Sequence, residues 1–242
     1  MWLNKEKCYH INFFRKNNID TTTSNCATTT YNINNFIISS VSDHIDLGVN
    51  FNSNLNFKKH IDKIISKVNR TVFCMKCAFN FSSPSMHIRL FKCYALPHLD
   101  YCSPVWNPSI KSIINEIEKV QRRGMKLLLH GSQYALWNYN EHLKFCGLIR
   151  LSVRCKISDL KLVHKYSIAD QQCMDLHSLG MTRTKSLYHP HDLLEHFCKY
   201  SQTRNEFSHR MVSCWNKLPE KVKIINNPKL FKCSLYKYLT CT

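Results

Sequence analysis

Three shortages constrain this chain of 242 residues before any motif is considered. Glycine is the first. The five glycines form no phosphate-cradling loop and no Gly-x-Ser-x-Gly elbow, so the sequence carries neither signature. Acid is the second shortage, with 16 Asp plus Glu against 34 Lys plus Arg and a formal net charge of +18. No two aspartates are adjacent. Two-metal phosphoryl transfer clamps several oxygen ligands around ions ~4 Å apart, and the best acidic pair here, Asp43 and Asp46, is expected to flank a strand turn. The catalytic set is therefore read as none, and so is the metal set. The third shortage is of long apolar runs. Nothing approaches the ~18 apolar residues that a membrane helix requires. Met1 is followed by Asn4, Lys5, Glu6 and Lys7 rather than by the apolar region of a secretory signal. The expected location is intracellular, cytoplasmic or nuclear and not secreted, with no membrane partner.

Cysteine, by contrast, is plentiful. Thirteen cysteines without a secretory signal predict a reducing compartment and free thiols, most of them serving as small core hydrophobes. Cys74-Met75-Lys76-Cys77 has a zinc-type spacing and is followed by His87, Cys93, His98 and Cys102, but a structural zinc site wants a second close pair and none follows. Cys74 and Cys77 are one helical turn apart and are expected to be core thiols. His189-Pro190-His191 with His196 and Cys198 reads as loop composition.

An apolar fraction of 44% supports a real core. Residues 1–56 are rich in Asn, Thr and β-branched types, with short strands expected at Lys7–Phe14, Tyr31–Ile38 and Leu47–Phe51. From Phe57 the period changes to that of a helix. Ile61, Ile64, Ile65, Val68 and Val72 mark one face, and Lys59, Lys63, Lys67 and Arg70 form a separate stripe. Ser83-Pro84 starts a helix running through Leu90, Phe91 and Tyr94 to near Pro97. Pro108-Ser109 starts another, with Ile110, Ile113, Ile114, Ile117 and Val120 on one side and Lys119, Arg122, Arg123 and Lys126 on the other. A helix with one apolar face and one cationic stripe can pack on protein and follow a phosphate backbone at once. A plain solvated face remains the alternative for each helix taken alone.

Beyond Gly131-Ser132 the chain reads as helical with a loose middle. Ile149, Val153, Ile157 and Leu160 form an apolar face beside Arg150, Arg154, Lys161 and Lys165. Residues 170–203 read as loop, and Asn227-Pro228 opens a last helix with Phe231, Leu235, Tyr238 and Leu239 inward. The expected fold class is mainly α with a small N-terminal antiparallel β portion (α+β). Its expected parts are 1–56, a helical bundle at 57–131, and a helical extension at 132–242.

Two stretches more than a hundred residues apart carry a specific likeness. The first is Leu96-Pro97-His98-Leu99-Asp100-Tyr101-Cys102-Ser103-Pro104-Val105-Trp106-Asn107-Pro108 with Glu118-Lys119-Val120-Gln121-Arg122-Arg123; the second is Trp215-Asn216-Lys217-Leu218-Pro219, preceded by Arg204, Phe207, Arg210 and Val212. In order and rough spacing they resemble the post-catalytic palm, thumb and C-terminal extension of a non-LTR, jockey-like (LINE-type) retrotransposon reverse transcriptase. The likeness extends from about Asn4 to Leu239. It implies a palm remnant at 1–56, a thumb at 57–131 and an extension at 132–242.

Further roles are implied by the resemblance alone. Asn4-Lys5-Glu6-Lys7-Cys8 matches the segment after the catalytic turn, with Lys7 near the incoming nucleotide. Leu47-Gly48-Val49 matches the primer-grip hairpin, where Gly48 would allow close backbone approach. On residue type alone the two are an ordinary strand lysine and a turn glycine. The family's Ala-Asp-Asp turn is absent, and Ala169-Asp170-Gln171 lacks its second aspartate. Cys155 stands where an arginine is usual.

The resemblance thus implies a fragment of an RNA-directed DNA polymerase, inactive by itself, holding a primer–template RNA/DNA duplex. The Mg²⁺ of the full-length enzyme would have no site in this chain, which is expected to need no cofactor. The nucleic-acid-binding residues are then Lys7, Gly48, Lys59, Lys63, Lys67, Arg70, Lys119, Arg122, Arg123 and Lys126. Two alternatives stay open: a domesticated helical interaction module for RNA or acidic protein, and a truncated form of a complete reverse transcriptase.

Overall fold

The computed structural model describes residues 8–13, 30–33, 36–79, 83–108, 110–129, 132–169, 191–195 and 207–241. It is mainly helical with a small β portion, as expected. Two compact units divide the chain, 1–66 and 67–242.

The first unit carries short strand pairs. β1 (Tyr9–His10) pairs with β4 (Ser39–Ser40), and this pair is parallel where an antiparallel ribbon was expected. β2 (Asn32–Ile33) and β3 (Phe36–Ile37) are antiparallel. β5 (Asp43–Asp46) and β6 (Val49–Asn52) form a hairpin through Leu47 and Gly48. Both turn residues have positive φ, 46° and 82°, the primed geometry that matches strand twist and that glycine adopts without a Cβ penalty. Val49 is buried, and the Asn50 amide donates to His60 Nδ1 at 3.4 Å. The surrounding apolar groups depress the His60 pKa, with Lys63 adding to the effect.

Helix α1 (Lys58–Ala78) begins in the first unit and ends in the second. Ile61, Ile64, Val68, Val72 and Met75 are its buried positions at helical spacing. Cys74 and Cys77 fall beside that line, and both are exposed, contrary to the core role expected of them. Of the nine cysteines whose side chains are described, Cys146 and Cys155 are buried.

The second unit continues with α2 (Pro84–Leu90), for which Ser83 takes the N-cap place without a side-chain cap bond. Phe91–Ala95 is a π-helical stretch leading into α3 (Leu96–Asp100). Its cause is Pro97, whose ring would clash with the carbonyl four residues back and whose missing N–H breaks the regular ladder; widening the turn relieves both. This carries the helix past its expected stop near Pro97 to Asp100. α4 (Ser103–Trp106) follows a left-handed Cys102 at φ 51°. α5 (Lys111–Leu128), α6 (Ser132–Ala135) and α7 (Tyr139–Cys146) come next. α7 starts in a capping box between Asn138 and Glu141, each side chain binding the other's backbone N–H, and ends on left-handed Gly147.

α8 (Leu151–Ala169) is the central strut of this unit, and its buried residues lie on more than one side. Ile157, Leu160 and Val163 join Leu193, Met211, Val212, Trp215, Leu218, Val222, Phe231 and Leu235 in one core. These come from α9 (Phe207–Asn216), α10 (Glu220–Lys223), α11 (Pro228–Cys241) and the segment 191–195. His164 stacks flat on Phe231 with centroids 3.8 Å apart, and burial depresses its pKa. α11 opens as expected, Asn227 Oδ1 accepting from the Lys229 and Leu230 amides at 2.9 and 3.3 Å. Most of 170–203 lies outside the described residues.

Candidate nucleic-acid interface

The two motif stretches meet in space through a buried polar knot. Asp159 of α8 is fully buried, and its Oδ2 accepts from Asn107 Nδ2 at 2.9 Å and from Arg210 Nη2 at 3.3 Å. The Arg210 guanidinium also donates to the Asn107 carbonyl at 3.1 Å and the Pro104 carbonyl at 3.2 Å. Desolvation outweighs the guanidinium and pushes the Asp159 pKa up to about 6. Trp106 Nε1 donates to the Tyr101 carbonyl at 2.7 Å, and Trp215 Nε1 to the His191 carbonyl at 2.8 Å. Asn216 brackets Leu193, donating to its carbonyl and accepting from its amide, both at 2.9 Å. Lys223, almost wholly buried, pairs with Asp192 and donates to the Asn216 carbonyl at 3.2 Å. The Trp-Asn-x-Leu-Pro block thus fastens the segment at 191–195, and Arg210 fastens α9 to the loop after α4.

Glu118-Lys119-Val120-Gln121-Arg122-Arg123 divides along the helix into inward and outward residues. Gln121 is fully buried and donates to Tyr139 Oη and the Ile149 carbonyl at 3.1 Å each, while Arg154 Nη1 donates to Gln121 Oε1 at 3.1 Å. Arg154 also pairs with Asp100. Expected beside the apolar face, Arg154 in fact points into this network. Glu118 accepts from the Tyr139 hydroxyl and from the Leu151 and Ser152 amides at 3.3 and 3.4 Å. A carboxylate at the first turn of α8 also complements its dipole. Burial and the Glu118 carboxylate raise the Tyr139 pKa well above the ordinary phenol value.

Within the motif the outward residues are cations, Lys126 continues their row, and exposed Glu116 stands one turn before Lys119. Lys119, Arg122, Arg123 and Lys126 are exposed on the side of α5 opposite Ile117, Val120, Gly124 and Leu128. None of the four has a carboxylate partner among the described residues. Arg122 lies over the Tyr139 ring with its guanidinium carbon 4.6 Å from the centroid, which fixes its direction. Gly124 lets α5 sit close to its neighbours: a Cβ there would come 2.7 Å from Phe91 Cε2 and 3.4 Å from Val72 Cγ2. The residue adjoining the cationic row is therefore the one that seats α5 against the C-terminal half of α1.

The stripe on α1 is also solvent-facing. Lys59, Lys63, Lys67 and Arg70 are exposed along one side of that helix. Lys59 is engaged by Asp43 at 3.0 Å, and the hydrogen bond from Asn52, with Lys59 second, holds the Asp43 carboxyl below its ordinary range. That carboxyl is thus tied to the hairpin end rather than presented with Asp46. Lys59 and Lys63 belong to the first unit, Lys67 and Arg70 to the second. Gly48 stands at the exposed hairpin tip. Lys7 lies outside the described residues.

Among the described residues no group of three or more His, Cys, Asp or Glu side chains could hold a metal. His87 is buried with Nε2 2.7 Å from the Phe79 carbonyl. His191 lies 3.7 Å from Glu220. No helix among the described residues is long and apolar enough to cross a membrane.

No family model matches the chain, and no solved structure does. The chain is 30% identical over 73 residues to an uncharacterized protein of Caenorhabditis elegans, a stretch that covers 30% of this chain and 37% of the relative. The chain thus spans well under half the length of the relative it matches.

Proposed function

We propose that this chain is a nucleic-acid-holding part of a retrotransposon-type reverse transcriptase, gripping the phosphate backbone of a primer–template duplex through the outer face of α5. The observation that carries the proposal is the row Lys119, Arg122, Arg123 and Lys126, which is exposed and has no carboxylate partner among the described residues. Cations left without an internal partner release counterions when they meet phosphate. The order of the sequence motifs supplies the polymerase part of the proposal. α1 carries a second row in Lys63, Lys67 and Arg70, and the Gly48 tip is the counterpart of the primer grip. With no catalytic carboxylates of its own, the chain holds the duplex while the chemistry, Mg²⁺ included, belongs to the full-length enzyme.

Such contacts meet phosphates rather than base edges, so binding is expected to be nearly indifferent to sequence. A titration of a hybrid duplex against salt tests this. If the four α5 cations each meet one phosphate, log affinity falls against log salt with a slope of roughly −4. A flat salt response, or tighter binding to an acidic polypeptide than to the duplex, would replace the proposal with the protein-interaction alternative.

A further inference from the structure

Beyond the end of α5 the chain builds a cluster of rings that core packing only half explains. Tyr134 and Trp137 lie edge to face at 4.9 Å, as do Trp137 and Phe145 at 5.2 Å, while Tyr134 and Phe145 are tilted at 5.5 Å. Their inner side rests on a small core that includes Met125, Leu129, Leu143 and Cys146. Trp137 also meets His142 edge to face at 5.8 Å, and the other side of the cluster is partly open to solvent. Phe145 is 46% exposed, the adjacent Leu136 is 94% exposed, and Trp137 is half-buried with an indole N–H that has no partner among the described residues.

The exposed charged residue that directly adjoins one of these ring-bearing positions in sequence is a lysine. Lys144 is exposed next to Phe145, and Lys126 is exposed next to Met125, on which the rings rest. The acid of α7, Glu141, has its carboxylate engaged by the Asn138 amide at 2.7 Å. Flat apolar faces set among lysines suit a ligand that is itself flat, apolar and polyanionic. An unpaired nucleobase on a phosphate backbone has that chemistry, and a base of any identity offers a π-face.

We infer that Trp137 and Phe145 form a stacking site for an unpaired base at the end of the nucleic acid that α5 holds. This rests on the nucleic-acid reading above and sharpens it, because the preferred ligand becomes a duplex with a single-stranded extension instead of a blunt one. Trp137 is suited to report the contact: Trp106 and Trp215, the other tryptophans among the described residues, are each 1% exposed.

The test uses the full chain and hybrid duplexes of equal paired length, either blunt or carrying a short unpaired extension of DNA or of RNA. Binding is followed by anisotropy of a labelled strand and by tryptophan emission. The extension should tighten binding roughly tenfold and quench the emission, with the DNA and RNA arms showing which strand supplies the base. Phe145→Ala should remove most of that gain and leave blunt-duplex affinity unchanged, and Trp137→Leu should remove both gain and quench. Leu136→Ser, which removes no ring, should keep both. A blunt duplex that binds while the extension adds nothing overturns the stacking site and leaves the α5 proposal standing. A gain that survives both ring substitutions also overturns it, and failure to bind any of these duplexes overturns the two together.

Discussion

The inner and outer sides of α5 use similar residues for opposite ends. Glu118 and Gln121 face the protein, where each polar atom is spent on Tyr139, Ile149, Arg154 or the first amides of α8. Lys119, Arg122, Arg123 and Lys126 face solvent without a carboxylate partner among the described residues. The motif Glu118–Arg123 therefore joins a buried, hydrogen-bonded half to an exposed cationic half, and helical geometry alone decides which residue belongs to which. The same lesson holds for the other motif blocks. Asn107, Arg210, Trp215 and Asn216 are consumed by internal bonds. A residue can stand out in the sequence and still be spent wholly on the fold.

The sharpest way to break the structural half is Arg210→Ala. It leaves the buried Asp159 carboxylate without its guanidinium, and the loss is expected to be about 3 kcal/mol at pH 8. The pH dependence follows from Asp159, whose folded pKa of about 6 lies above the ordinary 3.8. The folded state takes up that proton first, so stability from this group grows as pH falls through 6 and is complete below 3.8. Because the carboxyl is already neutral there, Arg210→Ala should cost less at pH 5 than at pH 8 in chemical denaturation. An equal or larger cost at pH 5 would show that Asp159 stays ionised in the knot.

Smaller losses are expected where one bracket or one contact fails. Asn216→Ala removes both bonds to Leu193 and should cost about 1–2 kcal/mol. Gly124→Ala sets helix propensity, worth up to ~1 kcal/mol in favour, against a Cβ 2.7 Å from the buried Phe91 ring. Overpacking is expected to win, for a net loss of about 1 kcal/mol. A stabilised Gly124→Ala would mean that Phe91 moves aside freely and that the close seating of α5 is incidental.

How legible all this was depends on the physical signal. The buried lines of α1 and α5 were readable because apolar residues recur at helical spacing, and the start of α11 because Asn-Pro limits the backbone. The cationic stripes were readable for the same reason, in negative. Strand β5 was missed because Ile45 is 54% exposed and the segment shows no apolar alternation. The π stretch was hidden because Pro97 signals a break and not the form of its repair. The cysteines at 74 and 77 were misplaced because a thiol is apolar enough for either side, and Met75 between them took the buried position. Hardest to foresee were the inward polar residues Asp159, Gln121 and Arg154. Their burial depends on partners far away in sequence, and no local pattern distinguishes them from solvated charges.

The most direct measurement is a comparison of charge reversals by melting and by salt-dependent duplex binding. Lys119→Glu and Arg122→Glu on α5, and Lys63→Glu on α1, should each leave stability within about 0.5 kcal/mol; Arg122→Glu lies at the upper end because its stacking on Tyr139 is lost. Each should weaken duplex binding by roughly tenfold or more and reduce the salt slope by about one. Lys229→Glu and Lys237→Glu on α11 are the controls, and both should bind as the wild type does. If the controls weaken binding as much as the α5 and α1 reversals do, the +18 charge acts as a diffuse field and the outer face of α5 is not the grip.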